Sequence, residues 1–193
     1  MVLIHIQPPP APKPFELEGP FDLERCVAAL FYACGSQVIL EGGMRPDGGV
    51  DLLTLHGGRS TVIQCKYWQK AVGVKEVREL LGAKIDFQAS DATFVSTSGF
   101  TENAELFARR NRLTLIDANQ LQTALTRYSQ TREFSEAFAY FSRKCPKCGG
   151  TLVHRQNAAS KEPFWGCSSF AHTGCKHSEP YDRRLLEPRA KAS

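Results

Sequence analysis

The stretch "VDLLTLHGGRSTVIQCKYW", residues 50–68, decides the fold. Two apolar, β-favouring runs, "VDLLTL" (50–55) and "TVIQCKYW" (61–68), flank "HGGRS", a five-residue link with the glycines that a hairpin wants. Side chains two apart on a strand point the same way, so Gln64 and Lys66 share one face while Ile63 and Cys65 take the other. One face therefore reads as core and the other as chemistry. Folding the hairpin about residue 58 brings Asp51 opposite the neighbourhood of Gln64 to Lys66, so three polar side chains converge.

Outward from the hairpin, the chain alternates helical and strand-like patterns. Upstream, Leu23, Val27, Leu30 and Phe31 form an apolar stripe over about 21–33, closed by Gly35, and "QVIL" (37–40) reads as a strand. "EGGMRPDGG" (41–49) is a glycine-rich turn region. Downstream, Val74, Val77, Leu80 and Leu81 recur with helical spacing. "ATFVST" (92–97) is a strand, Thr101 caps a helix to about Arg110, "LTLI" (113–116) is a strand, and a helix runs from about Asn119 to Tyr128. Strand, helix, strand, helix implies parallel pairing through crossover helices. The expected fold class is α/β, a mixed central sheet flanked by helices.

The 193 residues suffice for one domain with a sizeable core plus a small attachment. We divide them into a proline-rich lead-in (1–19), the α/β domain (20–129), a helical connector (130–142), a cysteine-rich module (143–181) and a basic tail (182–193). Residues 1–142 hold 14 basic and 16 acidic side chains, and residues 143–193 hold 10 and 4. The positive excess thus lies in the C-terminal quarter, which suits a polyanion such as nucleic acid, or else forms a solvated basic surface. "MVLIHIQPPP" lacks the basic start of a signal peptide, and no run approaches a membrane span. Cys26, Cys34 and Cys65 sit in apolar contexts where they read as buried thiols, and a reducing, cytoplasmic location with no membrane partner is expected.

The polar cluster on the hairpin points to metal chemistry. Asp51, the Gln64 side-chain oxygen and a backbone carbonyl near Cys65 offer the hard oxygen ligands that a divalent ion takes. Lys66 beside them could position or deprotonate a water, or neutralise charge on a phosphorane-like transition state. Taken singly, Asp51 reads as a turn cap and Lys66 as a lysine snorkelling from a strand end. Ser96, Thr97 and Ser98 sit where a strand meets a loop and would border the cleft, but no histidine lies near them for triad chemistry.

"ERCVAALFYACG", "GGMRPDGGVDLL", "IQCKYW", "VGVKEVRELLGA", "TFVSTSGFTENAELFAR" and "LTLIDANQL" together resemble, in order, the motifs of the Mrr-type restriction endonuclease domain of the PD-(D/E)xK nuclease superfamily, over roughly residues 21–128. The resemblance implies a restriction-endonuclease-like fold and a metal-dependent DNA endonuclease using Mg2+ or Mn2+. It makes Asp51 the metal-binding aspartate, sets Gln64 in the place of the superfamily's second acidic residue, and makes Lys66 the catalytic lysine. Glu24 matches a glutamate that reaches toward the metal in related nucleases, and Asp47 either lines the approach or shapes its Pro-Asp-Gly turn. Gln64 is usual in the Mrr branch. Lys75, Arg78 and Lys84, on the helix after the hairpin, are candidates for contacts to backbone phosphates or else a solvated face. Homodimerisation would let two sites cut two strands, but no segment establishes it.

"CPKC" and "FWGCSSFAHTGC" supply Cys145, Cys148, Cys167 and Cys175, a spacing that closes a four-thiolate tetrahedron around structural Zn2+. His172 or His177 could replace one thiolate, though four cysteines suffice. Redox chemistry at "CPKC" lacks the strand and helix that surround a thioredoxin motif. The segment resembles the zinc-ribbon finger of bacterial type I DNA topoisomerases, with a longer loop before the last cysteine. That resemblance implies DNA binding, with Arg155, Lys161 and Trp165 as candidate contacts beside Phe164 and Phe170. For Trp165 the competing reading is the small core of the module itself. A nuclease-fold protein that binds or recruits without hydrolysis is the alternative function.

Overall fold

The computed structural model describes residues 17, 19–40, 49–160 and 162–181. Residues 1–16 and 18 of the proline-rich lead-in, residues 41–48 with Asp47, Lys161 and the basic tail lie outside the described residues.

Helix α1 (Pro20–Ala33) opens with proline at its first position, where no amide is needed, and Asp22 in its first turn. Strands β1 (Gln37–Leu40), β2 (Leu52–His56) and β3 (Arg59–Lys66) follow. They pair antiparallel, with Leu52 opposite Ile63 and His56 opposite Arg59. The link between β2 and β3 is shorter than the expected five residues. It is Gly57 and Gly58 alone, at φ 55 and 76, the left-handed pair whose twist matches the flanking strands. Helix α2 (Val74–Asp86) crosses to β4 (Asp91–Ser96), and α3 (Glu102–Arg110) crosses to β5 (Thr114–Ile116). Both crossovers yield parallel pairs, giving one mixed five-stranded sheet in the order β1-β2-β3-β4-β5. Thr101 caps α3 through its side chain, and Asp117 with Gln120 forms a capping box on α4 (Ala118–Tyr128).

Helices cover both faces of this sheet. Ile63 and Cys65 of β3 pack beneath α1, in a core with Cys26, Val38, Leu52, Leu121 and Leu125, whereas Cys34, expected to be buried, is exposed because it caps the C-terminal end of α1. Val62 packs with Val77, Leu80, Phe94 and Ala104 under α2 and α3. The Gln64 face of the hairpin is therefore not open as expected. Gln64 is 4% exposed, because a parallel crossover lays α2 over that side. Lys66 reaches the surface only where the strand ends.

The chain then forms α5 (Arg132–Phe141), β6 (Leu152–Gln156), β7 (Pro163–Cys167), α6 (Phe170–Thr173) and β8 (Ser178–Pro180), the last three strands pairing as a small antiparallel sheet. Helix α5, expected as a connector, packs on α1. Phe134, Ala137 and Phe141 join the α1 core, and so do Leu152, Trp165 and Cys167 of the cysteine module. Trp165 meets Tyr140 edge-on at 5.7 Å and donates from its indole to the Tyr140 hydroxyl at 3.4 Å. Arg143 stacks on Tyr140 at 4.4 Å and pairs with Glu179 of β8 at 3.0 Å. The module is thereby fixed to the α/β domain through a shared core. No helix among the described residues is long and apolar enough to cross a membrane.

Candidate active site

Asp51 sits just before β2, where its amide still donates to the Ile63 carbonyl at 2.9 Å. Its carboxylate accepts from the Cys65 amide at 2.7 Å. This pins Asp51 to β3 from both ends of the residue, so the hairpin fixes the carboxylate and leaves its other oxygen for a ligand. Burial pushes the Asp51 carboxyl up to about 6, against the pull of the Cys65 amide and Lys66. Glu24, one turn into α1, is pushed up to about 7 by burial and then by Asp51, with Arg25 and Lys66 opposing. The structure thus brings Glu24, Asp51 and Lys66 within electrostatic reach of one another.

Gln64, on β3 beside Cys65, is packed differently. Its amide lies against Gly49, whose φ is 58 and where a Cβ would come within 2.5 Å of the Gln64 nitrogen. A side chain at 49 would evict the glutamine, so Gly49 is the residue that lets it fold inward. Gln64 Oε1 is buried and has no hydrogen-bond partner among the described residues. Two crowded carboxyls and an orphaned carbonyl oxygen are a donor set that suits a hard divalent cation, which would relieve the repulsion and satisfy the amide. The ammonium of Lys66 lies 5.5 Å from the centre of the Trp68 ring.

The loop after Lys66 is held by the residues expected at the cleft border. Thr97 Oγ1 donates to the Trp68 carbonyl at 2.9 Å and accepts from the Trp68 amide at 3.1 Å. Ser98 Oγ donates to the Lys70 carbonyl at 2.6 Å, and Ser96 is fully buried. These hydroxyls fasten a loop and do not line the cleft.

A cleft of about 620 Å3 opens between α1 and the cysteine module. Glu24, Arg25 and Asp51 line one side, and Val153, Arg155 and His172 line the other. Gln64 and Lys66 do not line it. Lys75, Arg78 and Lys84 are on α2, across the sheet. There Lys75 pairs with Glu79 at 4.0 Å and Arg78 stacks on Phe107 at 5.5 Å. Trp165, expected as a stacking surface, is 1% exposed. Its ring fills the core between Tyr140, His154 and Tyr181, so it presents no face to a base. Arg25 and His172 are cleft residues that sequence reasoning missed as such. The only signal for Arg25 was a charged position inside a helix otherwise apolar on most sides.

The four cysteines converge. The sulfurs of Cys145, Cys148, Cys167 and Cys175 lie within 4.8 Å of one another, with Cys145 to Cys175 at 3.8 Å and Cys148 to Cys167 at 3.3 Å. Sulfurs on a tetrahedral ion with bonds of about 2.3 Å stand roughly 3.8 Å apart, so the cluster is able to hold a metal. The Gly150 amide, followed by the Cys167 thiol, lowers the Cys148 thiol to about 6 and favours the thiolate that a metal requires. Neither histidine takes part. His177 pairs with Glu179 at 3.0 Å, and His172 faces the cleft.

The chain is similar to several known proteins. The type IV methyl-directed restriction enzyme EcoKMrr of Escherichia coli (strain K12) is 35% identical over 79 residues, which cover 39% of this chain and 26% of that protein. The chain therefore aligns with about a quarter of that relative's length. Among solved structures, a protein of unknown function, AF1548, is similar with a TM-score of 0.48 at 15% identity, covering 64% of this chain and 79% of that one. The DNA modification-dependent restriction endonuclease AspBHI is similar with a TM-score of 0.48 at 22% identity, covering 64% and 35%. The MspJI restriction endonuclease, solved with a 27-mer oligonucleotide, has a TM-score of 0.45 at 18% identity, covering 69% and 32%. The restriction endonuclease family Mrr_cat matches residues 17–125, more than half of the chain, and the chain belongs to that family.

Proposed function

We propose that the protein is a metal-dependent endonuclease that hydrolyses phosphodiester bonds in DNA, with Mg2+ or Mn2+ held by Asp51, Gln64 Oε1, the Cys65 carbonyl and Glu24. The observation that carries this reading is the pair of half-buried carboxyls, Glu24 and Asp51, within electrostatic reach of Lys66 at the head of a cleft in a chain of this family. Bound there, the divalent ion supplies positive charge to a phosphate and acidifies a water. The protein's own residues do the rest. The Cys65 amide orients Asp51, and the buried Gln64 amide adds an oxygen without adding charge. The Lys66 ammonium stabilises charge that builds on the phosphate as the bond to the leaving oxygen lengthens.

The four cysteines hold structural Zn2+ in a finger of the topoisomerase type, a closed site with no position open for chemistry. The sequence likeness to a methyl-directed enzyme makes methylated DNA the first substrate to try. The test incubates methylated and unmethylated, duplex and single-stranded DNA with Mg2+ or Mn2+. Wild type is compared with Asp51→Ala and Lys66→Ala after circular dichroism shows that all three fold. Each substitution is expected to lower cleavage by roughly a thousandfold. Unchanged cleavage in both variants places the activity elsewhere. DNA binding without cleavage by wild type would make the protein a binding module.

A further inference from the structure

We propose that the cysteine module is a working wall of the nuclease cleft, in which Arg155 on β6 and Arg25 on α1 grip phosphates of one DNA strand and set it over Asp51. The proposal rests on the nuclease reading for what happens at Asp51. The clamp itself stands on four observations.

Both arginines line the same cleft as Glu24 and Asp51, yet they come from parts of the chain about 130 residues apart. Arg25 is 9% exposed, and its ion-pair partner among the described residues is Asp22 at 3.4 Å. A guanidinium carries five donors in a planar fork, and the contact to Asp22 engages one nitrogen, Nη1, so donors remain for a ligand in the cleft. An anion entering the cleft would take them. Arg155 is exposed but not free to wander. A Cβ on Gly166 would stand 2.6 Å from its Cδ and 3.0 Å from its Nε, so the stem of Arg155 lies flat across a strand that has no side chain there. The absent side chain aims the guanidinium.

The third observation is electrostatic. Glu24 and Asp51 repel a phosphate, so a strand that approaches them needs positive charge on the facing wall. Arg155 supplies it there, and Arg25 supplies it beside the carboxyls. The fourth is mechanical. Trp165, Leu152 and Phe141 share one core with α1, so the wall keeps its distance from the catalytic hairpin. A tethered finger would gather DNA, whereas a wall fixed in this way aligns it. Arg155 is on this account a positioning residue.

The experiment measures binding of a short fluorescein-labelled duplex by anisotropy, on the full chain with Ca2+ in place of Mg2+, across a range of salt. Arg155→Ala is expected to weaken binding about fivefold to tenfold and to lower the slope of log K against log salt by about one. Arg155→Lys should restore the slope but only part of the affinity, because an ammonium cannot bind a phosphate bidentately. Arg25→Lys should behave the same way. Zinc content and melting should match wild type for Arg155→Ala, since its side chain is exposed. Wild-type affinity and slope in Arg155→Ala would overturn the clamp even if wild type cleaves DNA. An Arg155-dependent affinity in a protein that never cleaves would support the clamp and overturn the nuclease reading alone.

Discussion

The two candidate metal centres of this chain are built by opposite rules. The cysteine cluster draws its ligands from two short loops of one small sheet, and its soft sulfurs have nothing else to do. The proposed carboxylate site would draw on Glu24 from a helix, Asp51 from the approach to a strand and Gln64 from the next strand, the first two half-buried and the last buried. On the proposed reading an ion in the first centre would hold the fold, and in the second the fold would hold the ion.

The largest effect expected from that contrast is in the cysteine module. Cys148→Ala should remove zinc and unfold residues 143–181, because a structural ion supplies the folding energy of its own module. The shared core extends the damage. Losing the cover of Trp165 and Leu152 over Phe141 should lower the melting temperature of the remaining domain by roughly 10 °C, following a loss of about 3 kcal/mol. Removing divalent ions from the carboxylate site with a mild chelator should leave the circular dichroism spectrum unchanged. A domain that melts as in wild type after Cys148→Ala would mean the two regions are energetically separate.

A smaller effect, of the opposite sign, is expected at Glu24 in metal-free protein. Its carboxyl titrates near 7 when folded and near its ordinary 4.5 when unfolded. Between those values the native state holds a proton that the unfolded chain has released, so stability falls as pH rises through the window. Asp51 adds a similar loss between 3.8 and about 6. Glu24→Gln should therefore raise stability at pH 8 by as much as roughly 3 kcal/mol, with little change at pH 4, while impairing cleavage. Urea titrations of metal-free wild type and variant at both pH values check this. Equal stability at pH 8 would show that Glu24 is solvated.

The smallest effect concerns Gln64→Glu. An added carboxylate should tighten Mn2+ binding by about tenfold and lower the stability of the metal-free protein by about 1 kcal/mol. Calorimetric titration with Mn2+ reads the first and thermal melts read the second. Unchanged Mn2+ affinity would remove position 64 from the ligand set.

Legibility followed the same divide. Four cysteines with a two-residue gap announce themselves, because no other arrangement of those residues is as chemically specific. The hairpin, the crossover helices and the cap at Thr101 were equally readable, since alternation and capping are local properties, whereas the capping box at Asp117 was not read. What stayed hidden was set by residues far apart in the chain. That Gln64 would be covered depends on the α2 crossover; that Trp165 would take the core reading over the stacking one, and that Arg25 and Arg155 would line one cleft, depends on how the second sheet docks on α1. The strand alternation that suggested an open chemical face was correct in direction and wrong in exposure, because only the crossover topology says what lies above that face.

The packing of α5 on α1 has a consequence for how the chain is made. The apolar face of α1 is complete by residue 33, yet its partner begins at residue 132. At ribosomal rates of about 5–20 residues per second, roughly 5–20 seconds pass before that partner is synthesised. During that interval Leu23, Val27 and Leu30 have only the growing sheet to cover them. The long sequence separation also makes the docking a slow, late step of refolding. The last structure to form is then the joint between α1, α5 and the cysteine module, so a nascent chain has the hairpin of β2 and β3 before it has the opposite wall of its cleft.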